Sequence, residues 1–339
     1  MNSNNSLDGK NIVDKKNLKD KISNLNICNN CEDISIKKFS PIKNELDLNK
    51  LNASYKRCEC GKRPLDIIMS HVLKIMIEEK IAPDDATLRR NTPTLLPALY
   101  YSQNNSQFMG EDSILLIHPD FNEKIASRII KEVPETRGVL KGNVQETVGI
   151  LQKDSDITQY ELLAGSDIRS DIINTLIKKN DKLNKIIINK NQSKINIEVA
   201  STTETKLLKL YNYLENNKEF KNNHSKLKVI DGTCGAGATG IFLLMYGFNE
   251  IILNDIYSEA IATTLNNLKT NGFDFKKCEN KEEIAIGENF KVYNMAFEDL
   301  SVKLKSDEYD LCILDCFTGV DCSYLEKEAE KIAKNVLLI

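Results

Sequence analysis

The chain has 339 residues, 28% of them charged and 41% hydrophobic, with a formal net charge of −3. That length accommodates two ordinary cores, and no apolar run reaches the roughly 18 to 20 residues that a membrane span needs. The acidic balance lacks the overall basic signature of a nucleic-acid binder, leaving only a local basic face for that role.

The N-terminus is polar and has no apolar h-region, so secretion is not expected and a cytoplasmic location is. Nine cysteines, an odd number, predict reduced thiols rather than a disulfide framework. The abundance of Lys, Ile and Asn reads as nucleotide-composition bias, so asparagines carry little weight at this level.

Residues 1–61 are polar and weakly periodic and read as a disordered or loosely ordered tail. Within them, Cys28-x-x-Cys31 and Cys58-x-Cys60 offer four thiolates to one zinc ion or to an iron–sulfur cluster. The competing reading is unstructured thiols. Residues 62–112 form a helical lead-in, in which Pro64 opens a helix reaching Ile77 and Thr92-Pro-Thr-Leu-Leu-Pro97 breaks the pattern.

Residues 113–200 read as a small accessory α/β domain. A strand at Ile114–Ile117 is followed by a helix from Phe121 to Val133, stopped by Pro134. A strand at Thr147–Leu151, a loop at Tyr160–Ser166, a helix at Ile168–Lys178, and strands at Lys185–Ile188 and Ile195–Val199 complete it. Arg89, Arg90, Arg128, Lys131, Arg137 and Lys141 concentrate before and within this unit, a candidate phosphate-contacting face. Residues 201–226 carry an amphipathic linker helix.

Residues 227–339 alternate strand and helix, which predicts an α/β fold with a Rossmann-like doubly wound parallel sheet. The strands fall at Leu227–Ile230, Ile251–Asn254, Phe290–Tyr293, Leu311–Leu314 and Val336–Ile339, giving an expected order 3-2-1-4-5 that ends at the fifth. Between the first two lies Asp231-Gly-Thr-Cys-Gly-Ala-Gly-Ala-Thr-Gly240, with glycines at Gly235, Gly237 and Gly240. Asp255 follows about 20 residues after the first glycine, the interval of a ribose-binding acid.

Asp231 ends the first strand four residues before the glycines, a position from which an acid can reach the amino-acid end of a nucleoside cofactor. The pattern resembles motif I of class I S-adenosylmethionine-dependent methyltransferases, and Asn254-Asp255 resembles their motif II. The resemblance implies that Asp231, Gly235, Gly237, Gly240 and Asp255 bind S-adenosylmethionine. Asn294 would supply an amide oxygen to the adenine, with Met295 on its face. Residues 254–273 look like the motif II region of tRNA N2,N2-dimethylguanosine methyltransferases. Tyr309-Asp-Leu-Cys-Ile-Leu-Asp-Cys-Phe-Thr-Gly319 is similar to their motif IV at Asp315, Phe317 and Gly319, with Cys316 in the place of proline. Asp315 and Phe317 are thereby implied as the catalytic residues that orient an acceptor amine.

Upstream, Phe121–Leu140, Tyr160–Gly165 and Ser201–Thr205 resemble the middle domain and linker of archaeal and eukaryotic tRNA (guanine37-N1)-methyltransferases. The Asn-x-Pro motif of that family is absent. These resemblances imply a cytoplasmic, archaeal tRNA guanine methyltransferase. Two other readings stand beside it. One is a fibrillarin-like protein assembling the iron–guanylylpyridinol hydrogenase cofactor, with a small-molecule precursor as partner in place of tRNA. The other is a catalytically degenerate subunit that only binds S-adenosylmethionine.

Overall fold

The computed structural model describes residues 11–103, 106–146, 148, 158–179, 182–304, 309–316 and 321–339. The chain divides into two compact units, Met1–Ser170 with Lys190–Ile197, and Asp171–Asn189 with Glu198–Ile339. Among the described residues no helix is long and apolar enough to cross a membrane.

The first unit holds a four-stranded sheet in the order Thr94–Pro97, Ile114–His118, Thr136–Lys141, Glu161–Gly165. Its two central strands are parallel and its outer pairings antiparallel. The helix Glu123–Glu132 links the parallel pair, and Asn122 caps it by accepting from the Ile125 amide at 3.0 Å. Its Ile125, Ala126 and Ile129 meet the buried face of the helix Leu65–Glu78 in one core. Glu135, fully buried, is held by Arg57 at 3.0 Å and Arg63 at 3.1 Å, the pairing that a buried carboxylate requires.

Residues 11–61 depart from the expected loose tail. Short helical segments at Leu18–Ser23, Ile42–Glu45 and Leu51–Ser54 punctuate them, and Ile36, Ile42, Leu46 and Leu51 are buried in the same core as Leu65–Glu78. Their few apolar residues are spaced to reach a preformed surface, a pattern that window-averaged composition dilutes.

Three further expectations are corrected. The stretch read as a loop at Tyr160–Ser166 contains the strand Glu161–Gly165, because its partner Thr136–Lys141 comes from elsewhere in the chain. The segment read as a helix at 168–178 is the strand Ile168–Lys179, which lies between Leu99–Tyr101 and Lys182–Asn191 in a three-stranded sheet. Its apolar residues fit a helical period, but pairing with non-local strands overrides the local pattern. The stretch Ile195–Val199 is not a strand; a turn precedes it, held by the Asp167 carboxylate, which accepts from Ser193 N at 2.9 Å and Asn191 Nδ2 at 3.0 Å. The strand expected at 147–151 lies outside the described residues apart from the buried Val148.

The second unit is built on a seven-stranded sheet: β1 (Lys228–Asp231), β2 (Glu250–Asn254), β3 (Phe275–Lys277), β4 (Glu283–Gly287), β5 (Phe290–Tyr293), β6 (Leu311–Leu314) and β7 (Val336–Leu338). Their spatial order is β3-β4-β5-β2-β1-β6-β7. The run from β5 to β7 is parallel, and β3 and β4 add an antiparallel edge that the sequence reading omitted. Alternate residues of the central strands enter opposite cores, as in a sheet covered on both faces. Val229, Leu253 and Ile313 pack with α1 (Ala200–Asn216), α2 (Ala238–Tyr246) and α3 (Ser258–Thr270). Ile230, Ile252 and Leu314 pack with the helices Phe297–Lys303 and Ser323–Ala329.

Asparagines set aside as composition bias are structural. Asn271 exchanges two hydrogen bonds with the Ile187 backbone, 3.0 and 2.7 Å, and Asn267 does the same with Asn189, 2.9 and 3.2 Å. Both side chains stand in for a missing strand neighbour, because a carboxamide carries the same donor and acceptor as a peptide.

The burial of Ile42 gives a direct test of the packed N-terminal segment. Ile42→Ala is expected to lower unfolding stability by about 2–5 kcal/mol, read from denaturant unfolding of the full chain. A loss below about 0.5 kcal/mol, the range of an ordinary surface change, would refute the packing.

Candidate functional site

The parallel register brings the carboxyl ends of β1, β2, β5 and β6 to one edge, the edge where open α/β sheets bind ligands. Asp231, Asn254 and Asp255, Asn294, and Asp315 stand there. All belong to the second unit.

The glycine loop leaves β1 and enters α2. Gly237 has φ +89° and N-caps the helix, a left-handed conformation that favours glycine. At Gly240 a Cβ would lie 2.1 Å from Leu253 Cδ2, so any larger residue would have to displace that side chain from between α2 and β2. A Cβ on Gly235 would meet nothing within 4 Å, which leaves open space before the loop. Neighbouring side chains fix the loop's carbonyls: Thr264 donates to Gly235 O at 2.8 Å and Asn267 to Ala236 O at 2.9 Å. The cradle is therefore formed before any ligand arrives.

Three carboxyls with different environments face this edge. Asp255 accepts from Gly235 N and Tyr257 N, each at 2.9 Å; burial lifts its pKa and those two amides oppose the shift. Asp315 receives both of its oxygens' bonds from Lys206 Nζ of α1, at 2.8 and 2.7 Å, while its own amide donates to Thr233 Oγ1 at 2.7 Å. Burial lifts Asp315 although Lys206 pulls the other way. Burial would lower Lys206, but Asp315 and Glu198 outweigh it and hold the ammonium above its ordinary pKa. Glu198 Oε1 lies 2.5 Å from Lys206 Nζ, an ion pair by distance, although Oε1 makes no hydrogen bond of acceptable geometry.

Asp231 is different. It is 0% exposed, and neither carboxylate oxygen has a hydrogen-bond partner among the described residues. Burial drives its pKa well above the ordinary carboxylate value, and the charges of Asp315 and Asp255 add to the effect. The amides of Gly240 and Thr233 lie near enough to oppose the shift without reaching hydrogen-bond geometry. Asn254 repeats the theme: its Nδ2 donates to Gly232 O and Met295 O at 3.2 Å, yet its buried Oδ1 has no hydrogen-bond partner among the described residues. A buried acceptor left open beside a preformed loop fits a ligand that brings hydrogen-bond donors or positive charge. A dinucleotide's pyrophosphate would meet three carboxyls and fits poorly.

The other expected residues are placed as follows. Asn294 donates to Asp255 O at 2.8 Å and Ile256 O at 3.0 Å, which fixes its amide and leaves Oδ1 as its free acceptor. Met295 is part-buried against the core. Phe317 and Gly319 lie outside the described residues. Cys316 and Cys322, expected as reduced thiols, are joined in a disulfide. The four N-terminal cysteines, in the first unit, have their sulfurs within 4.8 Å of one another.

The expected basic face is reduced. Arg128 is bound by Glu78, Glu79 and Glu132, and buried Arg137 donates to Asp112 O and Ile168 O. Arg89, Arg90, Lys131 and Lys141 are exposed. Sequence reasoning missed Lys206, Thr233 and Asn254 as site residues. Lys206 acts on a residue 109 positions away, so no local pattern marks it. Asn254 stands beside Asp255 and was legible from that position.

No protein-family model matches this chain, and no curated protein does. Solved structures share distant likeness. A Pyrococcus horikoshii protein described as a transferase, PH0793, has 17% identity over 78% of this chain and 75% of its own, with a TM-score of 0.42. TYW2 of P. horikoshii, in complex with MeSAdo, has 17% identity over 78% and 76%, with a TM-score of 0.40. Trm5b of Pyrococcus abyssi has 15% identity over 65% of this chain and 54% of its own, with a TM-score of 0.37. What the site can do rests on its own residues.

Asp231 has a readout independent of any ligand. Because its folded pKa is raised, the folded state holds a proton that the unfolded state releases, and stability falls as pH rises from about 4 toward the folded pKa. Asp231→Asn is therefore expected to unfold at a higher temperature than the parent near neutral pH, with the gap closing toward about pH 4. A gap that is absent or reversed near neutrality contradicts the assignment.

Proposed function

We propose that the second unit binds S-adenosylmethionine and catalyses methyl transfer, with a guanine of tRNA as acceptor. The observation that carries this reading is Asp231, a buried carboxyl with no hydrogen-bond partner among the described residues, beside a glycine loop with open space in front of it. An ammonium and a sulfonium are the positive groups that such an edge favours.

In this reading Asp231 faces the amino-acid end of the cofactor. Asp255 takes the ribose hydroxyls, since each carboxylate oxygen that accepts a backbone amide keeps a further lone pair. Asn294 offers Oδ1 to the adenine amino group. When bound, the cofactor supplies an electrophilic methyl on a positively charged sulfur. Asp315 orients the acceptor amine with Phe317, and this is positioning chemistry that needs little acid–base work. Lys206 opposes the lift that burial gives the Asp315 carboxyl and shares its oxygens with the incoming amine. Support for guanine comes from the resemblances around Asn254–Phe273 and Tyr309–Gly319. In the first unit, exposed Arg89, Arg90, Lys131 and Lys141 supply phosphate contacts for a tRNA-selecting accessory domain of a cytoplasmic enzyme.

One observation favours a second reading, a subunit that binds the cofactor without catalysis. Both oxygens of Asp315 are already taken by Lys206, and Cys316, where the family motif has proline, is tied to Cys322.

Titration calorimetry is expected to show binding of S-adenosylmethionine and S-adenosylhomocysteine, weakened about tenfold or more by Asp255→Ala through lost charge-assisted hydrogen bonds. Absence of heat with both ligands overturns the proposal. Labelled methyl is expected to enter total tRNA from a strain lacking the gene, and Asp315→Asn is expected to reduce incorporation by about a hundredfold while leaving cofactor affinity within about threefold. Binding without transfer to tRNA selects the second reading.

A further inference from the structure

The first unit carries a cluster that the methyl-transfer reading does not use. Cys28 and Cys31 sit on one tight turn, where Cys31 N donates to Cys28 O at 3.3 Å. Cys58 and Cys60 sit on another, closed by Gly61 N to Cys58 O and Cys58 N to Lys62 O, each 2.8 Å. The turns are brought together across about thirty residues of chain. Cys28 Sγ lies 3.3 Å from Cys58 Sγ and 3.8 Å from Cys31 Sγ, and Cys31 Sγ lies 3.4 Å from Cys60 Sγ. All four sulfurs fall within 4.8 Å of one another.

These separations discriminate between chemistries. Zinc–thiolate bonds of about 2.3 Å in a tetrahedron put neighbouring sulfurs about 3.8 Å apart. An iron–sulfur cluster distributes its cysteines over several irons with sulfide between them, which needs wider spacing than a shell whose members all lie within 4.8 Å. Disulfides require about 2.05 Å, well inside the observed 3.3 and 3.4 Å contacts. Four thiolates this close repel one another unless a cation sits among them. We propose that Cys28, Cys31, Cys58 and Cys60 bind a single tetrahedral divalent metal ion, zinc, that closes the loop of residues 28–60 within the first unit.

The packing gives this ion a structural task. The chain between the two turns contributes Ile36, Ile42, Leu46 and Leu51 to the core of the first unit, while its helical segments are only three or four residues long. Such segments have little stability of their own. Lys62 Nζ bonds Asn26 O at 2.7 Å, a second tie between the turns. An ion at the cysteines closes the loop and selects the folded arrangement, so its binding free energy is expressed as folding free energy. All four positions of a structural site are filled by sulfur, which leaves none for substrate.

The full chain, purified anaerobically, is expected to contain about one zinc per molecule by elemental analysis. Cobalt(II) added to demetallated protein is expected to give the visible bands and thiolate charge-transfer absorption of a tetrahedral sulfur site. Cys31→Ser is expected to lower zinc affinity by more than about a hundredfold, since even changes to groups outside the ligand shell cost 10–100-fold. The cobalt spectrum of the unmutated chain keeps the test valid if that variant does not fold. Three outcomes would overturn the proposal: inorganic sulfide with stoichiometric iron, two disulfides among these cysteines in the freshly isolated chain, or a cobalt spectrum without thiolate charge transfer.

Discussion

Withdrawal of carboxyls from water at one sheet edge sets the electrostatics of the second unit. Parallel pairing of β1, β2 and β6 delivers Asp231, Asp255 and Asp315 to neighbouring positions; burial lifts all three, and the charges of Asp255 and Asp315 add to the effect on Asp231. The structure answers two of the three. Asp315 receives an ammonium from α1, and Asp255 receives two backbone amides. Asp231 receives no ammonium, and among the described residues its oxygens have no hydrogen-bond partner, although the Gly240 and Thr233 amides lie near.

The same edge explains the order in its surroundings. Close approach of α2 to β2 at Gly240 holds the loop against the strand that ends in Asn254 and Asp255. Thr264 and Asn267 of α3 fix the loop carbonyls, and Asn267 and Asn271 also secure the backbone at Asn189 and Ile187. One helix thus serves both the loop and the strand Lys182–Asn191. Asn267 and Asn271, the latter the C-cap of α3, are four apart, the interval that keeps two side chains on one helical face.

The first unit solves a different problem with the same logic. Its buried Glu135 is neutralised by Arg57 and Arg63, and these arginines flank the turn that bears Cys58 and Cys60. Charge pairing, the cysteine shell and the apolar contacts of Ile42 and Leu51 act on one stretch of about thirty residues. A segment with few large apolar residues is ordered by those ties, which composition alone does not register.

The glycine loop, its two flanking acids and the strand–helix alternation were legible in the sequence because each depends on residues near one another in the chain. So were the cysteine spacings and the helices Leu65–Glu78 and Ala200–Asn216. Ile168–Lys179 was misread because its apolar residues satisfy a helical period while its partners, Leu99–Tyr101 and Lys182–Asn191, are supplied by the tertiary fold. Local chemistry thus determined which elements and which candidate ligands this protein has. Tertiary structure alone decided that Lys206 clamps Asp315 from 109 residues away, that Asp231 has no hydrogen-bond partner among the described residues, and that four cysteines close on one point. The reason is physical: hydrogen bonding, burial and coordination depend on distances in space, and sequence fixes such distances only between residues close along the chain.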